Sequence, residues 1–407
     1  MRSSIVNVLV VTAGDITNPK EGAGNRTFHL AKGLKDAGNN VIVVQPKTRR
    51  EKGSQNGEFE AHRYLGIVGD REMFPFRGIN PFFLYTIAKL LKGRHVDIVH
   101  VEYPWGISAI RVIQWLIGKR QLLVYSSHNF QVAVSRANAQ YRRTKKGLSL
   151  SEIMIAHFMV MNTRIVETLS VRLCDLVLCV SNDDERAFTG AYGIGSDKIR
   201  VLPNGTSLQG TEFASREKTS VELDASKLTV VFLGSYGYEP NIEAIRCIKN
   251  LIAPHFKKHC TNVEFVVAGY RVPQYAGDNL RCLGFVDDVH SLLKSCDIAI
   301  APLKRGGGTR LKIFEYFAAA LPVVTTRKGI EGIDATNQEH AIIVDTTDEL
   351  VQALTFLVDH KEERERMGAK AFKLVKSKYS WDDIGKSLNE HYVQLLRTHS
   401  SSRGVQP

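Results

Sequence analysis

Short runs of apolar, β-branched residues alternate with helix-forming segments along nearly the whole chain. IVNVLVVT is followed by a helical stretch and then by NVIVVQP, and LTVVFLGS restarts the alternation in the second half. Near-continuous apolar strands are typical of a parallel sheet covered by helices on both faces. Between the two series, residues 206–226 lose periodicity and gain Ser, Thr and Glu, as a linker does. The sequence therefore predicts an α/β protein with two tandem Rossmann-like, doubly wound domains facing a cleft.

The domain boundaries follow from the same alternation. With 407 residues, the chain is long enough for two full cores. We expect a first domain over residues 1–208, a second over 209–378 and a closing helix over 379–397. The last residues, 398–407, are polar and rich in serine, which predicts a disordered tail.

The composition excludes several classes of protein. With 43% hydrophobic and 24% charged residues, and no run of 18 apolar residues, the sequence predicts neither a disordered chain nor a membrane-spanning one. The six cysteines form no CxxC pair and none lies at a metal-like spacing from a histidine, so we expect reduced thiols and no zinc site. The first residues form an apolar run without a cleavage site, which predicts a strand, not a signal peptide, and a cytoplasmic protein.

Positive charge is concentrated in the first half of the chain. Residues 1–208 carry 28 Lys and Arg against 17 Asp and Glu, whereas the whole chain carries 54 against 42. No acidic residue lies between Glu102 and Glu152, an interval with these basic residues: Arg111, Lys119, Arg120, Arg136, Arg142, Arg143, Lys145 and Lys146. This excess predicts an anionic partner. One such partner is an anionic membrane, to whose inner face the protein would bind peripherally. The basic residues are not interleaved with aromatic ones in a recognisable motif, so we expect no nucleic acid.

An aromatic-rich segment, residues 73–94, leaves two interpretations open. MFPFRGINPFFLYTIAKLLKGR is compatible with an amphipathic helix that lies in a membrane interface. It is also compatible with an ordinary core helix preceded by a loop.

Two predicted strand-to-helix turns are long and rich in glycine. The first, AGDITNPKEGAGN over residues 13–25, contains Gly22 and Gly24 before a helix that carries Arg26 and His29. Glycines at such a turn let the backbone approach a ligand closely. The turn lacks GxGxxG, so the dinucleotide-binding fingerprint is absent.

The second turn lies within residues 297–326, DIAIAPLKRGGGTRLKIFEYFAAALPVVTT. A buried strand leads into it, and we expect the next helix to begin with Thr309 as its N-cap. Its candidate binding residues are Lys304, Arg305, Gly306, Gly307, Gly308, Thr309, Arg310 and Lys312. Glycines open the approach, the helix N-terminus offers N–H donors and the cations neutralise phosphates, so the segment suits a diphosphate. Glu315, on the same helix, would accept hydroxyl groups of a sugar or ribose; the alternative is a flexible loop and a surface glutamate.

Three segments carry a resemblance to a known family. GTRLKIFEYFAAALPVVTT, NPKEGAGNRTFHLAKGLKDAGNNVIVV and YSWDDIGKSLNEHY resemble, respectively, the donor-binding region, the first glycine loop with its helix, and the closing helix of GT-B glycosyltransferases of family 4, the group 1 glycosyltransferases. The resemblance implies a GT-B fold. It also implies that a nucleotide-diphosphate sugar binds the second domain and that the closing helix packs on the first.

The resemblance implies roles for individual residues. Gly284, Phe285 and Val286 would lie near the base, and Glu315 would bind ribose hydroxyls. The turn 306–309 would approach the diphosphate or the sugar. Further members of the implied site are Asn241 towards the sugar, His128 facing the donor sugar, and Glu102 and His100 towards the acceptor. A strand-end histidine that is hydrogen-bonded locally is the alternative for His128.

The sequence departs from the family pattern at two places. Gly307 stands where the Glu-x7-Glu motif has its first glutamate, and GSYGYEPN after the first strand of the second domain lacks the usual Arg/Lys pair. Phosphate neutralisation would then fall to Lys304, Arg305, Arg310 or Lys312. No DxD motif occurs, and the adjacent aspartates are typical of helix N-termini, so we expect a metal-independent enzyme without a cofactor.

The combined expectation is a hexosyltransferase-type enzyme of polysaccharide or glycoconjugate synthesis. It would move a sugar from a nucleotide-diphosphate donor to a glycan or a polyprenyl-diphosphate-linked acceptor, and the resemblance implies retention of configuration. Two alternatives stay open. One is an epimerase, hydrolase or phosphorylase with the same two-domain fold. The other is a non-catalytic subunit, because Gly307 replaces the first glutamate of the family motif.

Overall fold

A computed structural model describes the following parts of the chain: residues 5–16, 22–47, 58–66, 80–144, 149–208, 223–260 and 262–402. They form two compact units. The first unit is Met1–Asn204 together with Trp381–Pro407, and the second is Gly205–Ser380. Several predicted features lie outside the described residues: Lys145, Lys146, and residues 17–21, 73–79, 209–222 and 403–407.

The first unit contains a parallel sheet of seven strands in the order β3-β2-β1-β4-β5-β6-β7. The strands are β1 Asn7–Val11, β2 Asn40–Pro46, β3 Glu60–Tyr64, β4 Ile98–Val101, β5 Leu122–Ser126, β6 Leu176–Cys179 and β7 Ile199–Val201. In register, Leu9 pairs with Ile42 on one side and with Val99 on the other. Because the inner strands are apolar on both faces, helices must cover both sides of the sheet.

Helices of the first unit follow most of its strands. They are α1 Gly22–Asp36, α2 Pro81–Gly93, α3 Ile107–Leu116, α4 Gln131–Thr144, α5 Leu150–Leu173 and α6 Asn182–Tyr192. The chain later returns to this unit with α13, Trp381–Ser402. Helix α13 packs against α1 so closely that a Cβ atom on Gly33 would lie 2.6 Å from the Cα atom of Gly385. A short interaxial distance of this kind requires small residues on both helices.

The buried side of α13 follows a helical period: Trp381, Ile384, Leu388 and Tyr392 are all buried. The helix is longer than expected. The predicted end at residue 397 and the predicted disorder from 398 are wrong for residues 398–402, which are helical. The hydroxyls of Ser400 and Ser401 donate to the carbonyls of Leu396 and Arg397 one turn earlier, so these serines, which suggested disorder, are bonded to the helix itself.

The second unit contains another seven-stranded sheet, in the order β10-β11-β9-β8-β12-β13-β14, parallel except for the β10–β11 pair. Its strands are β8 Leu228–Leu233, β9 Val263–Ala268, β10 Tyr275–Gly277, β11 Leu280–Gly284, β12 Ile298–Ala301, β13 Val323–Thr326 and β14 Ile342–Val344. Its helices are α7 Glu239–Cys247, α8 Ala253–His259, α9 Val289–Lys294, α10 Leu311–Ala318, α11 Thr347–Asp359 and α12 Lys361–Lys378, with a π-helical turn, Ile248–Ile252, between α7 and α8. The predicted α/β class with two parallel-dominated sheets is confirmed.

The structure places the division between the units at residues 204/205, four residues before the predicted boundary at 208/209. The Thr206 N–H donates to the Tyr379 carbonyl, and Thr206 bridges to Ser380. These bonds tie the first residues of the second unit to its last ones.

The described part of the segment 73–94 is a core helix. Helix α2 buries Phe83, Ile87, Leu90 and Leu91 in the first unit, with the Asn80 side chain capping its N-terminus. The structure therefore favours the core-helix interpretation for this part. Among the helices that the structure describes, none combines the length and the apolar character needed to span a bilayer.

Candidate functional site

The glycine turn after β12 folds differently from its predicted form. Helix α10 begins at Leu311, and its N-cap is Arg310, not Thr309 as expected. Gly306 and Gly308 have φ angles of 121° and 67°, which favour glycine, and they bring the chain back on itself before the helix begins. The open turn is therefore one residue longer than the spacing predicted, and glycine is required in it for conformation as well as for access.

Arg310 closes this turn from inside. Its side chain is buried, and its Nη1 donates to the carbonyls of Gly307 and Gly308. Burial lowers the pKa of the guanidinium, although Tyr238 and Glu331 act in the opposite direction. The cation that was expected to neutralise phosphates is thus placed under the glycine backbone, which it holds in shape.

Arg305 is committed to an ion pair. Its Nε and Nη2 lie 2.8 and 2.9 Å from the two carboxylate oxygens of Glu243, on α7. In this two-point contact the carboxylate of Glu243 balances the positive charge of the Arg305 guanidinium. The expectation that Arg305 neutralises phosphates is not supported by this placement, whereas Lys304, next to it, is exposed.

The side chains of Lys312 and Asn241 form a hydrogen-bonded polar pair beside the turn. The Lys312 Nζ lies 2.8 Å from the Asn241 Oδ1 and 4.1 Å from the centre of the Phe232 ring. The Asn241 Nδ2 donates to the Ser235 carbonyl after β8, at 3.0 Å. Burial lowers the pKa of Lys312 to about 7, and the charge of Arg310 adds to this, while Glu315 opposes it.

Glu315 lies one helical turn beyond Lys312 on α10. Its side chain is half-buried, and within the described ranges its carboxylate accepts no hydrogen bond. Burial raises the pKa of Glu315 to about 7, and Lys312 lowers it only in part. A partly desolvated carboxylate without a hydrogen-bond donor from the protein carries a cost in stability, and hydroxyl groups of a ligand would reduce that cost.

This arrangement predicts a pH-dependent cost in stability. The folded pKa of Glu315, about 7, lies above its ordinary value of 4.5, so stability should decrease as pH rises between these two values. We expect Glu315→Gln, which carries no charge, to melt at a higher temperature than the parent at pH 8, by a few degrees, because roughly 1–2 kcal/mol of desolvation is relieved. Thermal melts of both proteins at pH 5 and pH 8 measure this. An equal difference at both pH values would contradict the ionisation argument.

The residues expected near a base follow β11. Gly284 ends that strand with a φ angle of 77°, and its carbonyl accepts a hydrogen bond from the Gly269 N–H at 2.8 Å. Phe285 is 52% exposed and Val286 is half-buried. A large exposed ring at the carboxyl end of a strand suits a contact with a planar ligand. The turns after β8, β11 and β12 all lie at the carboxyl edge of the second sheet, where open α/β sheets bind ligands.

In the first unit, two histidines flank one buried carboxylate. His100 Nε2 lies 2.6 Å from Glu102 Oε1, and His128 Nε2 lies 2.7 Å from Glu102 Oε2. Glu102 is fully buried at the end of β4, and His128 follows β5. Burial alone would raise the pKa of Glu102, but the two imidazoles hold it well below its usual range. His128 therefore makes a local ion-pair contact with Glu102 in place of the local hydrogen bond foreseen as its alternative, and the cluster includes both residues proposed for the acceptor side.

Further groups hold this cluster in place. The ring of Tyr103 stacks on His128 at 4.8 Å between centres, and the Tyr392 hydroxyl of α13 contacts His100 Nδ1. Arg26, on α1, is fully buried and its charge acts on Glu102. Its guanidinium donates to the Leu202 and Pro203 carbonyls and to the Asn204 side chain.

The first glycine turn is shorter than expected. Helix α1 begins at Gly22, so Gly22 and Gly24 lie in its first turn and not in a loop that runs to residue 25. The N–H groups of a first helical turn have no partner within the helix. Glycine at these positions still leaves that end of the helix open to a ligand.

Sequence reasoning missed Tyr392 and Glu167. Tyr392 lies 292 residues from His100, and only its place on the buried side of α13 could have pointed to it. Glu167 is fully buried in α5 and accepts hydrogen bonds from the N–H groups of Gln131 and Val132, which open α4 just after His128. Burial raises the pKa of Glu167 to about 7. In the sequence, only the position of Glu167, an acidic residue well inside a helix rich in apolar residues, could have indicated that it is buried.

Metal ligands were not expected. In the part of the chain that the structure describes, no three His, Cys, Asp or Glu side chains are grouped to hold a metal ion. The adjacent aspartates lie in or next to first turns of helices, as predicted: Asp183 and Asp184 in α6, Asp288 as the N-cap of α9, and Asp382 and Asp383 in α13.

Comparison with known families and structures agrees with this architecture. A family model described as Glycosyltransferase Family 4 matches residues 20–209, and one described as Glycosyl transferases group 1 matches residues 227–360. By sequence, no curated protein is significantly similar to the chain.

Solved structures resemble the whole chain at low sequence identity. Sucrose-phosphate synthase from Thermosynechococcus elongatus is 15% identical, with a TM-score of 0.73 over 97% of this chain and 100% of that one. HepE from Anabaena, in complex with UDP-glucose, is 14% identical, with a TM-score of 0.67 over 95% and 98%. WaaG, a glycosyltransferase involved in lipopolysaccharide biosynthesis, is 13% identical, with a TM-score of 0.65 over 94% and 99%.

The two Rossmann-like sheets and these structural matches define the GT-B class of fold. Since the two family models together account for most of its length, the chain belongs to the group 1 glycosyltransferases, with a family 4 first half. It is a glycosyltransferase, and the predicted resemblance is confirmed.

Proposed function

We propose that this enzyme transfers a sugar from a nucleotide-diphosphate sugar to a glycan or a lipid-linked acceptor in polysaccharide or glycoconjugate synthesis. The observation that carries the proposal is Glu315, a half-buried carboxylate with no hydrogen-bond donor in the described chain, one turn from Lys312 at the carboxyl edge of the second sheet. A site of this kind fits the hydroxyl groups of a ribose or sugar. The solved relative in complex with UDP-glucose supports a nucleotide-sugar donor.

The residues around Glu315 suit the remainder of such a donor. A diphosphate leaving group gains negative charge as the glycosidic bond breaks, so donors aimed at it stabilise the transition state. Donors for the diphosphate come from the backbone N–H groups of the glycine turn 306–308 and of the first turn of α10. Positive charge comes from the side chains of Lys304 and Lys312. We assign Asn241 to the sugar side and Phe285 to the base. This set needs no metal ion, and metal-independent transfer is part of the proposal.

The histidine pair of the first unit is assigned to the sugar and the acceptor. His128 would contact the donor sugar, as the family resemblance implies, with Glu102 holding its ring in orientation. Retention of configuration, in which the leaving phosphate takes the acceptor proton, would require no separate base. Gly307 in place of a glutamate is compatible with this, because that route depends on the leaving group.

The acceptor is proposed to lie at a membrane. An excess of Lys and Arg over Asp and Glu is confined almost entirely to residues 1–208, so the first unit would be drawn to an anionic bilayer. A polyprenyl-diphosphate-linked sugar at the cytoplasmic face combines an anionic head with a membrane anchor. WaaG, involved in lipopolysaccharide biosynthesis, is a structural relative in keeping with such an acceptor.

A thermal-shift screen tests the donor assignment. We expect one of UDP, GDP and ADP to raise the melting temperature of the full chain, with or without EDTA, since a ligand at 100 times its Kd stabilises by about 2.7 kcal/mol. Stabilisation that disappears with EDTA would contradict metal independence. Binding by none of the three would favour a non-catalytic subunit, and consumption of the sugar conjugate without an acceptor would indicate a hydrolase or an epimerase.

A further inference from the structure

Helix α5 carries a stripe of large apolar side chains that point away from the core of the first unit. Its members recur every three or four residues and so share one side of the helix. The stripe consists of the exposed residues Leu150, Met154, Phe158, Met161, Ile165 and Leu169. Single exposed apolar residues are ordinary, but a continuous row of six along a 24-residue helix marks a contact surface.

Helix α3 extends this surface. It packs against α5, and it exposes Val112, Trp115 and Leu116. Trp115 is 79% exposed, although tryptophan is a costly residue to leave in water. We call these three residues and the stripe on α5 the α3–α5 face. Exposed tryptophan beside aliphatic side chains is typical of the interfacial region of a bilayer.

The charges around the α3–α5 face are predominantly positive. Helices α2 to α5 contain eight Lys and Arg but only two glutamates, and of these Glu167 is buried. Exposed cations of the two neighbouring helices are Arg136, Arg142 and Arg143 on α4 and Arg164 and Arg172 on α5. A second copy of the chain would bring the same charges together, whereas an anionic lipid surface complements them.

We propose that the α3–α5 face docks on the surface of an anionic lipid bilayer. Trp115 and the stripe would enter the level of the headgroups, while the arginines contact lipid phosphates. The inference deepens the proposed function, on which it rests for its purpose of reaching a lipid-linked acceptor. It also moves the membrane contact from residues 73–94, where α2 is a core helix, to α3 and α5.

Sedimentation of the full chain with vesicles tests the apolar part of the face. We expect the parent to bind mixed phosphatidylglycerol–phosphatidylcholine vesicles. The double variant Trp115→Ser with Phe158→Ser should partition at least about tenfold more weakly, because the bilayer contact loses two aromatic side chains that it would bury. Phe356→Ser is the matched control, since Phe356 is a similarly exposed phenylalanine on α11 of the second unit. It should bind like the parent.

A second pair of variants tests the charged part. Arg136→Gln with Arg142→Gln should weaken binding to the mixed vesicles by about tenfold or more, since each basic residue near such a surface contributes on the order of 1 kcal/mol. Binding of the parent should decrease as salt is added, and vesicles of phosphatidylcholine alone should bind much less.

Two outcomes would overturn the inference. One is a parent protein that stays in the supernatant with the mixed vesicles at low salt. The other is a parent that elutes as a dimer which Phe158→Ser converts to a monomer, because the face would then contact a second copy. Melting curves of each variant show whether it folds, and nucleotide binding measured on the same samples separates failure of the docking face from failure of the donor site.

Discussion

Replacing Glu315 by glutamine is expected to lower donor affinity and turnover together by about 100-fold, because hydrogen bonds to a charged acceptor contribute about 1.5–3 kcal/mol each. The carboxylate is half-buried and has no donor from the described chain, so a bound hydroxyl would be its principal partner. Glutamine keeps the size of the side chain but presents an amide in place of one acceptor oxygen. Calorimetric titration with the nucleoside diphosphate, together with initial rates of sugar transfer, measures both effects.

The control for this experiment is Glu365→Gln on α12, an exposed glutamate of the same unit. It should leave affinity and rate unchanged. Glu315→Gln is also expected to be the more stable protein at pH 8, so lost activity cannot be attributed to unfolding. Full activity in Glu315→Gln would remove this residue from the donor site and, with it, the principal observation behind the proposed donor.

Glu102→Gln should destabilise the first unit by roughly 3 kcal/mol and reduce transfer strongly, since removal of one partner from a buried charged group typically costs 3–5 kcal/mol. Both imidazoles lie within 2.7 Å of its carboxylate oxygens. The Glu102 pKa is depressed below its ordinary value of 4.5. Its stabilisation is therefore fully present above that value and is lost as the pH falls through the lower, folded pKa.

Thermal melts between pH 3 and pH 8 check this second expectation. The gap in melting temperature between parent and Glu102→Gln should be full at neutral pH and narrow below about pH 4. Glu390→Gln, on the exposed side of α13, is the comparison variant and should show no gap. A gap that is constant across the range would mean that Glu102 contributes by packing alone.

Much of the second-unit site could be predicted from local sequence. The apolar run before Lys304, the three glycines and the amphipathic pattern around Glu315 are contiguous, so their order along the chain already placed them at one strand end. The start of α10 could not be predicted from them. It depends on left-handed angles at Gly306 and Gly308 and on the burial of Arg310 beneath them, and these are properties of the folded turn.

Long-range pairing accounts for what the sequence did not show. Arg305 could be recognised as a cation, but its partner Glu243 lies 62 residues earlier and on another element. The cluster around Glu102 is also assembled from separate strands and from α13. The α3–α5 face shows the converse: α5 carries apolar residues on more than one side, and only the structure tells which of them are covered and which are exposed.

The return of α13 to the first unit has a consequence for how the protein is made. Helix α1 packs on α13 through Gly33 and Gly385, and Tyr392 completes the surroundings of His100. During synthesis on a ribosome, the second unit emerges entirely before α13 does. The first unit therefore stays incomplete, with the α13-contacting side of α1 uncovered, until the second unit has been synthesised. A nascent chain that stalls before residue 381 would expose this apolar surface to chaperones.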